Sequence, residues 1–404
     1  MSDQAVNEQS PEGQAVSPES APRVRSLKEL IDLVSGRSLA DTQIQEEAGF
    51  AEKLPFPFLA LVGQMEMKLA LLLAVINPNI GGVLLVGPRG TGKTTAVRGL
   101  VDLLPPIQRS TCFYGCTAED IEAGGMDAVC PDCAKKYLEG TPLTRLEPAV
   151  LVELPLNARL EDVIGGVDER AVIHERYRLK RGILSRADQN ILYIDEVNLL
   201  PDEIVDAILD ASAQQQYTVR RGGVSATYRS RFTLIGSMNP EEGNLRPQIM
   251  DRFGLRVIVH GLTDPMQRYQ AYQWVRAYRR NPRQFINQFA DETLIARQEI
   301  CAARDLLAKV TLPNEVAHTG IDLIQRFKVD SLRAEITLFE ACRAYAAADG
   351  RTEATVQDLL TVAPMALRLR RSMFMVQYFN QQAEEEQELN QLIQSAEKKL
   401  SAPS

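Results

Sequence analysis

GGVLLVGPRGTGKTT, residues 81–95, decides the fold. Its second half fits G-x-x-x-x-G-K-[ST], with Gly87, Gly92, Lys93 and Thr94 at the required spacing. Glycines at those places let backbone N–H groups wrap a β-phosphate, the lysine reaches the β and γ oxygens, and the threonine hydroxyl ligates Mg²⁺. The flanks agree with that use. Val83-Leu84-Leu85-Val86 reads as a buried parallel strand, and residues 94–100 open a helix whose N-terminal dipole end points at the phosphate. A glycine-rich turn without a ligand has no need of either flank. The whole loop, Gly87, Pro88, Arg89, Gly90, Thr91, Gly92, Lys93, Thr94 and Thr95, is therefore assigned to the nucleotide.

Outward from the loop, short apolar strands at 82–87, 149–154, 190–195, 231–237 and 255–259 alternate with helical segments. This predicts a parallel sheet covered by helices on both faces. A long apolar helix over 65–76 precedes the first strand, and the segment Val62-Gly63-Gln64 before it reads either as an adenine-covering stretch or as a packed loop. Beyond Gly261 the strand signal stops, and helices are expected over 265–281, 282–290, 291–307, 313–327, 332–348, 355–369 and 373–394. The expected organisation is a disordered tail (1–26, with a short helix following at 26–35), an α/β nucleotide-binding domain (27–261), an all-helical lid (262–380) and a charged extension (381–404). Residues 217–228, YTVRRGGVSATY, read as a hairpin with a glycine turn inserted in the α/β domain.

At 404 residues, 45% hydrophobic and 24% charged, the chain is long enough to bury a sizeable core and has the make-up of a soluble globular protein. Its net charge of -8 offers no electrostatic footprint for nucleic acid. No apolar run approaches the ~20 residues that span a bilayer. Residues 1–23 carry acids and a single Arg, unlike an Arg-rich, acid-poor transit peptide, so a bacterial cytoplasm is the expected location.

Four further positions carry chemistry. Ile191-Leu192-Tyr193-Ile194-Asp195-Glu196 is an apolar strand that delivers Asp195 to a Mg²⁺ shell and Glu196 to the attacking water. Alone, such a run is an ordinary strand exit; after a complete phosphate loop it reads as its partner carboxylate pair. Asn239 ends the next strand and is suited either to the γ-phosphate and lytic water or to starting a turn before Pro240. Arg252 follows a helix-length interval later, where a permanent charge and a planar fork suit a neighbour's γ-phosphate; the plainer reading is a surface salt bridge with Asp251 or another acid. Arg333 heads a helix of the lid, either reporting the phosphate state or simply solvated.

This order of motifs resembles the AAA+ ATPases. Within them, LYIDEVNLL (192–200), MNPEEGNLRPQ (238–248) and DRFGL (251–255), together with Leu154-Pro155-Leu156 and EDVIG (161–165), closely resemble the I subunit of magnesium chelatase. The resemblance runs from about Phe56 to Leu369. It implies an AAA+ α/β domain with a C-terminal helical domain, and a ring, hexameric in type, that uses ATP and Mg²⁺ to drive Mg²⁺ insertion into protoporphyrin IX on the way to chlorophyll and bacteriochlorophyll. It further implies a D subunit as direct partner and a porphyrin-binding H subunit as indirect partner. By the same resemblance, Lys93 serves the phosphates, Thr94 and Asp195 the Mg²⁺ of MgATP, Glu196 the water, Asn239 is sensor 1, Arg252 the finger and Arg333 sensor 2. Asp251 then belongs to the subunit interface. The long tail, the loosely matching Arg368-Leu369-Arg370-Arg371 and the acidic extension depart from the family pattern.

Rival readings share parts of this set. A MoxR-like AAA+ chaperone has all the ATP motifs, and the stretch 239–248 speaks against it. A helicase relative would use Arg220 and Arg221 on the hairpin, and a silent ATPase-like scaffold is disfavoured by the intact nucleotide residues. Outside the ATP motifs stand six cysteines and three histidines, His174, His260 and His318. Cys112, Cys116, Cys130 and Cys133 form C-x₃-C-x₁₃-C-x₂-C, open to a structural zinc ion, a redox-sensitive thiol pair or reduced bystander cysteines. The first pair suits a metal less well than the second, so the sequence alone leans to bystanders. Cys301 and Cys342 sit on helical patterns and read as core.

Overall fold

A computed structural model describes residues 54–112, 115–167, 179–221 and 224–371. The expected tail, the helix over 26–35, His174, the hairpin's glycine turn at 222–223, the helix over 373–394 and the charged extension lie outside the described residues. Eleven strands are described: β1 (Val83–Val86), β2 (Ile107–Ser110), β3 (Thr144–Glu147), β4 (Leu151–Leu154), β5 (Gly165–Val167), β6 (Leu179–Arg181), β7 (Ile191–Ile194), β8 (Gln216–Arg221), β9 (Val224–Arg229), β10 (Thr233–Met238) and β11 (Leu255–Ile258).

Five of them make one parallel sheet in the order β11-β1-β10-β7-β4. β1, β7 and β10 are buried along their whole length, which is why they read as unbroken apolar runs: helices cover both faces, so neither side of the pleat meets water. The register pairs Val86 with Met238 and Ile194 with Gly236. Loops leaving β1, β10 and β7 therefore emerge side by side at the carboxyl edge, the position where α/β sheets bind ligands. The first helix, Met65–Ile76, is apolar nearly all round because it is walled in by β1, β11 and the helices Ala290–Leu307 and Arg333–Ala348.

The other strands pair as antiparallel hairpins set into the connections: β2 with β3, β5 with β6, and β8 with β9. The β8–β9 hairpin was expected. The other two have little period-2 apolar pattern, since β2 and β3 are mostly half-exposed, and the sequence gives no strand signal for them. Past β11 the described residues are almost wholly helical: Pro265–Arg280, Pro282–Asn287, Ala290–Leu307, Asn314–Phe327, Arg333–Ala348 and Val356–Leu367. One continuous apolar cluster joins the inner face of the sheet, the helix Met65–Ile76 and these last helices. No helix among the described residues is long and apolar enough to cross a membrane.

Candidate functional site

The glycine loop bends out of β1 because three glycines allow what no other residue would. Gly90 and Gly92 hold φ of +78° and +88°, and a Cβ on Gly87 would lie 2.2 Å from the Val259 carbonyl oxygen. Gly92 is also the N-cap of the helix Lys93–Leu100, so no side chain caps its first turn. Donors of that turn, aimed into the loop, constitute an anion site. Lys93, only 9% exposed, donates from Nζ to the carbonyls of Gly87 (2.6 Å) and Pro88 (2.8 Å). Burial lowers the pKa of its ammonium, opposed by the negative charges of Asp195, Glu196 and Glu242.

Beside the lysine, Thr94 Oγ1 stands 3.2 Å from Asp195 Oδ2. Asp195 is fixed by two further hydroxyls: Tyr193 donates to its Oδ1 at 2.8 Å, and Ser237 donates to the same oxygen. Tyr193 also meets Thr94 Oγ1 at 3.1 Å, and burial raises its phenol pKa, which keeps it a neutral donor. The result is a hydroxyl and an aimed carboxylate beside the anion site, a hard oxygen set of the kind Mg²⁺ takes together with phosphate. The residues fit MgATP.

Glu196 adopts φ +55°, a left-handed backbone that is strained for a non-glycine residue, and its N–H donates to Ser237 Oγ at 3.1 Å. Its carboxylate pairs with Arg89 at 3.0 Å, and the same arginine also pairs with Glu242. Asn239 is 3% exposed and lies level with Gly87, whose N–H bonds the Met238 carbonyl at 3.0 Å. Its Oδ1 accepts from Glu241 N–H at 3.3 Å, so in this state it starts the turn at Pro240. The segment Val62-Gly63-Gln64 runs beside the end of β11, with Gln64 Nε2 donating to His260 O at 2.6 Å.

Arg252 and Arg333 stand elsewhere. Arg252 precedes β11, at the amino edge of the sheet, a strand's length (on the order of 13 Å) from the loop after β1. It pairs with Asp210 at 2.6 Å. It lines a cleft of about 710 Å³ together with Arg333, Arg304 and Asn79. Next to it, Asp251 accepts from Ser331 Oγ (2.9 Å), Arg333 Nη1 (3.2 Å) and Arg370 Nη1 (2.8 Å), and Arg256 lies 3.6 Å away. Burial works to raise its pKa, yet the Ser331 hydrogen bond and the charges of Arg370, Arg256 and Arg333 outweigh it and hold the carboxyl below its ordinary value. The guanidinium of Arg256, fully buried beside Arg370, is brought down to about 9.

The sequence assigned the loop, both acids and Asn239 to one nucleotide site, Arg252 to a neighbour's γ-phosphate or a surface salt bridge, and Arg333 to the head of a lid helix; the first group meets at one edge of the sheet, and both arginines line a cleft at the other. Sequence reasoning missed Tyr193 and Ser237 as the groups that aim Asp195, and Arg370 as the inner partner of Asp251. A signal for the first two exists: each lies two residues before Asp195 or Asn239, on the same face of its strand by the period of the pleat. Arg370 has none, because its partner comes from over a hundred positions away.

A family model for the AAA lid domain matches residues 317–393, and one for the MCM P-loop domain matches 165–270. In fold, a putative ATPase from Cytophaga hutchinsonii is similar with a TM-score of 0.50, at 18% identity over 78% of this chain and 84% of that one. Among curated proteins, the magnesium-chelatase subunit ChlI homolog of Methanocaldococcus jannaschii is 42% identical over 79% of this chain and 87% of its own length. The magnesium-chelatase 38 kDa subunit of Acidiphilium rubrum is 41% identical over 78% of this chain and 90% of its own. Identity at this level over most of both partners extends far beyond a shared phosphate loop, and the chain belongs to the family of magnesium-chelatase ChlI subunits.

Proposed function

We propose that this chain is the ATPase motor of a magnesium chelatase, hydrolysing ATP between neighbouring copies of itself in a ring and driving Mg²⁺ insertion into protoporphyrin IX on partner subunits. The observation that carries the reading is the junction of Thr94 and Asp195 at 3.2 Å beside Lys93, within a chain of this family.

The roles follow from the chemistry. First-turn N–H groups after Gly92 and the Lys93 ammonium hold the phosphates, which requires the ammonium to leave the two loop carbonyls. Thr94 and Asp195 hold the Mg²⁺ of MgATP, with Tyr193 and Ser237 keeping the carboxylate aimed. That ion supplies neutralisation of charge developing on the phosphate oxygens. Glu196 orients and polarises the water, and to do so it must leave Arg89. That pair is exposed on the arginine side, where such pairs are worth only ~0.2–1 kcal/mol, so the release costs little against nucleotide binding. Asn239, between the loop and Asp195, is the sensor of the γ-phosphate.

Arg252 and Arg333 share the opposite edge, which supports both acting on the nucleotide of an adjacent copy. Asp251 then positions Arg333 within the chain. The D subunit is the partner that receives the motion, and the H subunit carries the porphyrin.

The test is reconstitution of the chain with D and H subunits, protoporphyrin IX, Mg²⁺ and ATP, followed by the fluorescence of the metallated porphyrin. Metallation is expected to require this chain and to vanish with Lys93→Ala. Robust ATP hydrolysis without metallation, given partners active with their own motor, would sink the assignment.

A further inference from the structure

We propose that Cys112, Cys116, Cys130 and Cys133 form a structural Zn²⁺ site that holds together the insertion between β2 and β3. The sequence leaned toward independent thiols because the first pair is spaced C-x₃-C. The fold overrules the spacing: all four Sγ atoms lie within 4.8 Å of one another, although the two pairs come from different elements. Cys112 and Cys116 lie on the loop that leaves β2, Cys130 is the N-cap of the helix Pro131–Leu138 and Cys133 sits in its first turn.

The geometry is that of a single ion. With Zn–S bonds of about 2.3 Å, a tetrahedron of thiolates spaces its sulfurs about 3.8 Å apart, so the four atoms need to contract by about 1 Å at most. An iron–sulfur cluster, whose metal and sulfide atoms fill the space between the cysteines, requires a wider set. Two disulfides would instead draw the sulfurs into separate pairs, whereas here each is a near neighbour of the other three. A four-thiolate set is soft, which selects Zn²⁺ over the hard Mg²⁺ used in the nucleotide site.

The surroundings are built for charged sulfur. Cys116 N–H donates to Cys112 Sγ (3.2 Å), Ser110 Oγ–H donates to the same sulfur (3.4 Å), and Cys130 N–H donates to Cys116 Sγ (3.4 Å). Such outer hydrogen bonds orient thiolate ligands and offset their charge. The helix N-terminus under Cys130 and Cys133 favours thiolates in the same way.

The insertion also lacks another source of stability. Its buried apolar cluster consists of Cys116, Ile121, Val129, Cys133 and Leu143, so two of the five members are themselves the thiols. A core that small does not order a segment of this length without a staple. Once ordered, the segment ties down two other hairpins: Cys112 O accepts from Arg181 Nη2 of β6 (2.9 Å), and Thr117 Oγ1 accepts from Arg229 Nη1 of β9 (3.1 Å), while Asp120 pairs with the same arginine. Zinc here would brace the insertions that decorate the ATPase domain.

The inference is independent of the chelatase reading, because its readout is metal content. The full chain, purified reduced and without chelator, is expected to carry stoichiometric zinc by elemental mass spectrometry. After exchange, Co²⁺ is expected to give the thiolate charge-transfer and visible d–d bands of a tetrahedral four-sulfur site. Cys112→Ala combined with Cys133→Ala should lose the metal, Cys112→His should keep it, and Cys301→Ser, outside the cluster, should leave it unchanged. If the double variant proves insoluble, the cobalt spectrum of the unaltered chain decides. Absence of zinc together with no cobalt spectrum would overturn the proposal, as would iron with labile sulfide, or a mass short by two hydrogens per disulfide in the chain as isolated.

Discussion

Asp251 shows how a single carboxylate can hold an edge of the molecule. Three guanidinium groups converge on it, and the side chains of Arg256 and Arg370 are fully buried. Removing the charge leaves those two without their counter-ion, a situation that costs about 3–5 kcal/mol, whereas an exposed pair such as Arg98 with Glu153 is worth ~0.2–1 kcal/mol. Asp251→Asn is therefore expected to lower the melting temperature markedly and Glu153→Gln hardly at all, as differential scanning calorimetry can show. The pH dependence has a definite sign. The Asp251 carboxyl is held below its ordinary value of 3.8, so its contribution is complete above that value and is lost as pH falls through the lower, folded one. The gap in melting temperature between wild type and Asp251→Asn should stay constant from pH 6 to 8 and close only below about pH 4. A gap that closed near neutrality would assign the stabilisation to another group.

Among the elements, the phosphate loop depends on contacts its own motif does not contain. Gly87 is required by the approach of β11, since a Cβ there would meet the Val259 carbonyl oxygen at 2.2 Å. Gly87→Ala is expected to push the loop off the strand, costing about 1–3 kcal/mol of stability by overpacking and weakening nucleotide binding more than stability. Titration with a fluorescent ATP analogue beside thermal melting separates the two. Unchanged affinity would mean that the loop adapts. The strand signals at β1, β7 and β10 were readable for a physical reason: strands buried on both faces are apolar along their length. The β2–β3 hairpin escaped because most of its positions face solvent in part or whole, where pairing is set by neighbours and leaves little mark on composition, and β5 opens on two glycines that carry no apolar pattern.

At the scale of the whole molecule, the strand order β11-β1-β10-β7-β4 puts Lys93, Asp195 and Asn239 at one edge and Arg252 and Arg333 at the other. A site needing both groups is then divided between copies. Arg252→Ala alone is expected to keep nucleotide binding and to lose hydrolysis by ~10³ or more. Mixing Arg252→Ala subunits with Lys93→Ala subunits should restore part of the ATPase activity. Some interfaces of the mixed ring combine an intact loop from the first with an intact arginine from the second. A mixture as inactive as its components would refute the divided site.

The sequence by itself determined the nucleotide loop, the acidic pair after its strand, the alternation that makes a parallel sheet and the change to helices past residue 261. These are local patterns, since spacing along one strand or one turn is enough to express them. Tertiary structure alone decided that Tyr193 and Ser237 aim Asp195, that Asp251 gathers Arg256, Arg333 and Arg370, and that four cysteines from a loop and a helix meet at one point. Each of these joins residues whose adjacency arises only when separate elements pack, and the order in which strands are laid beside one another is not written in the period of any one of them.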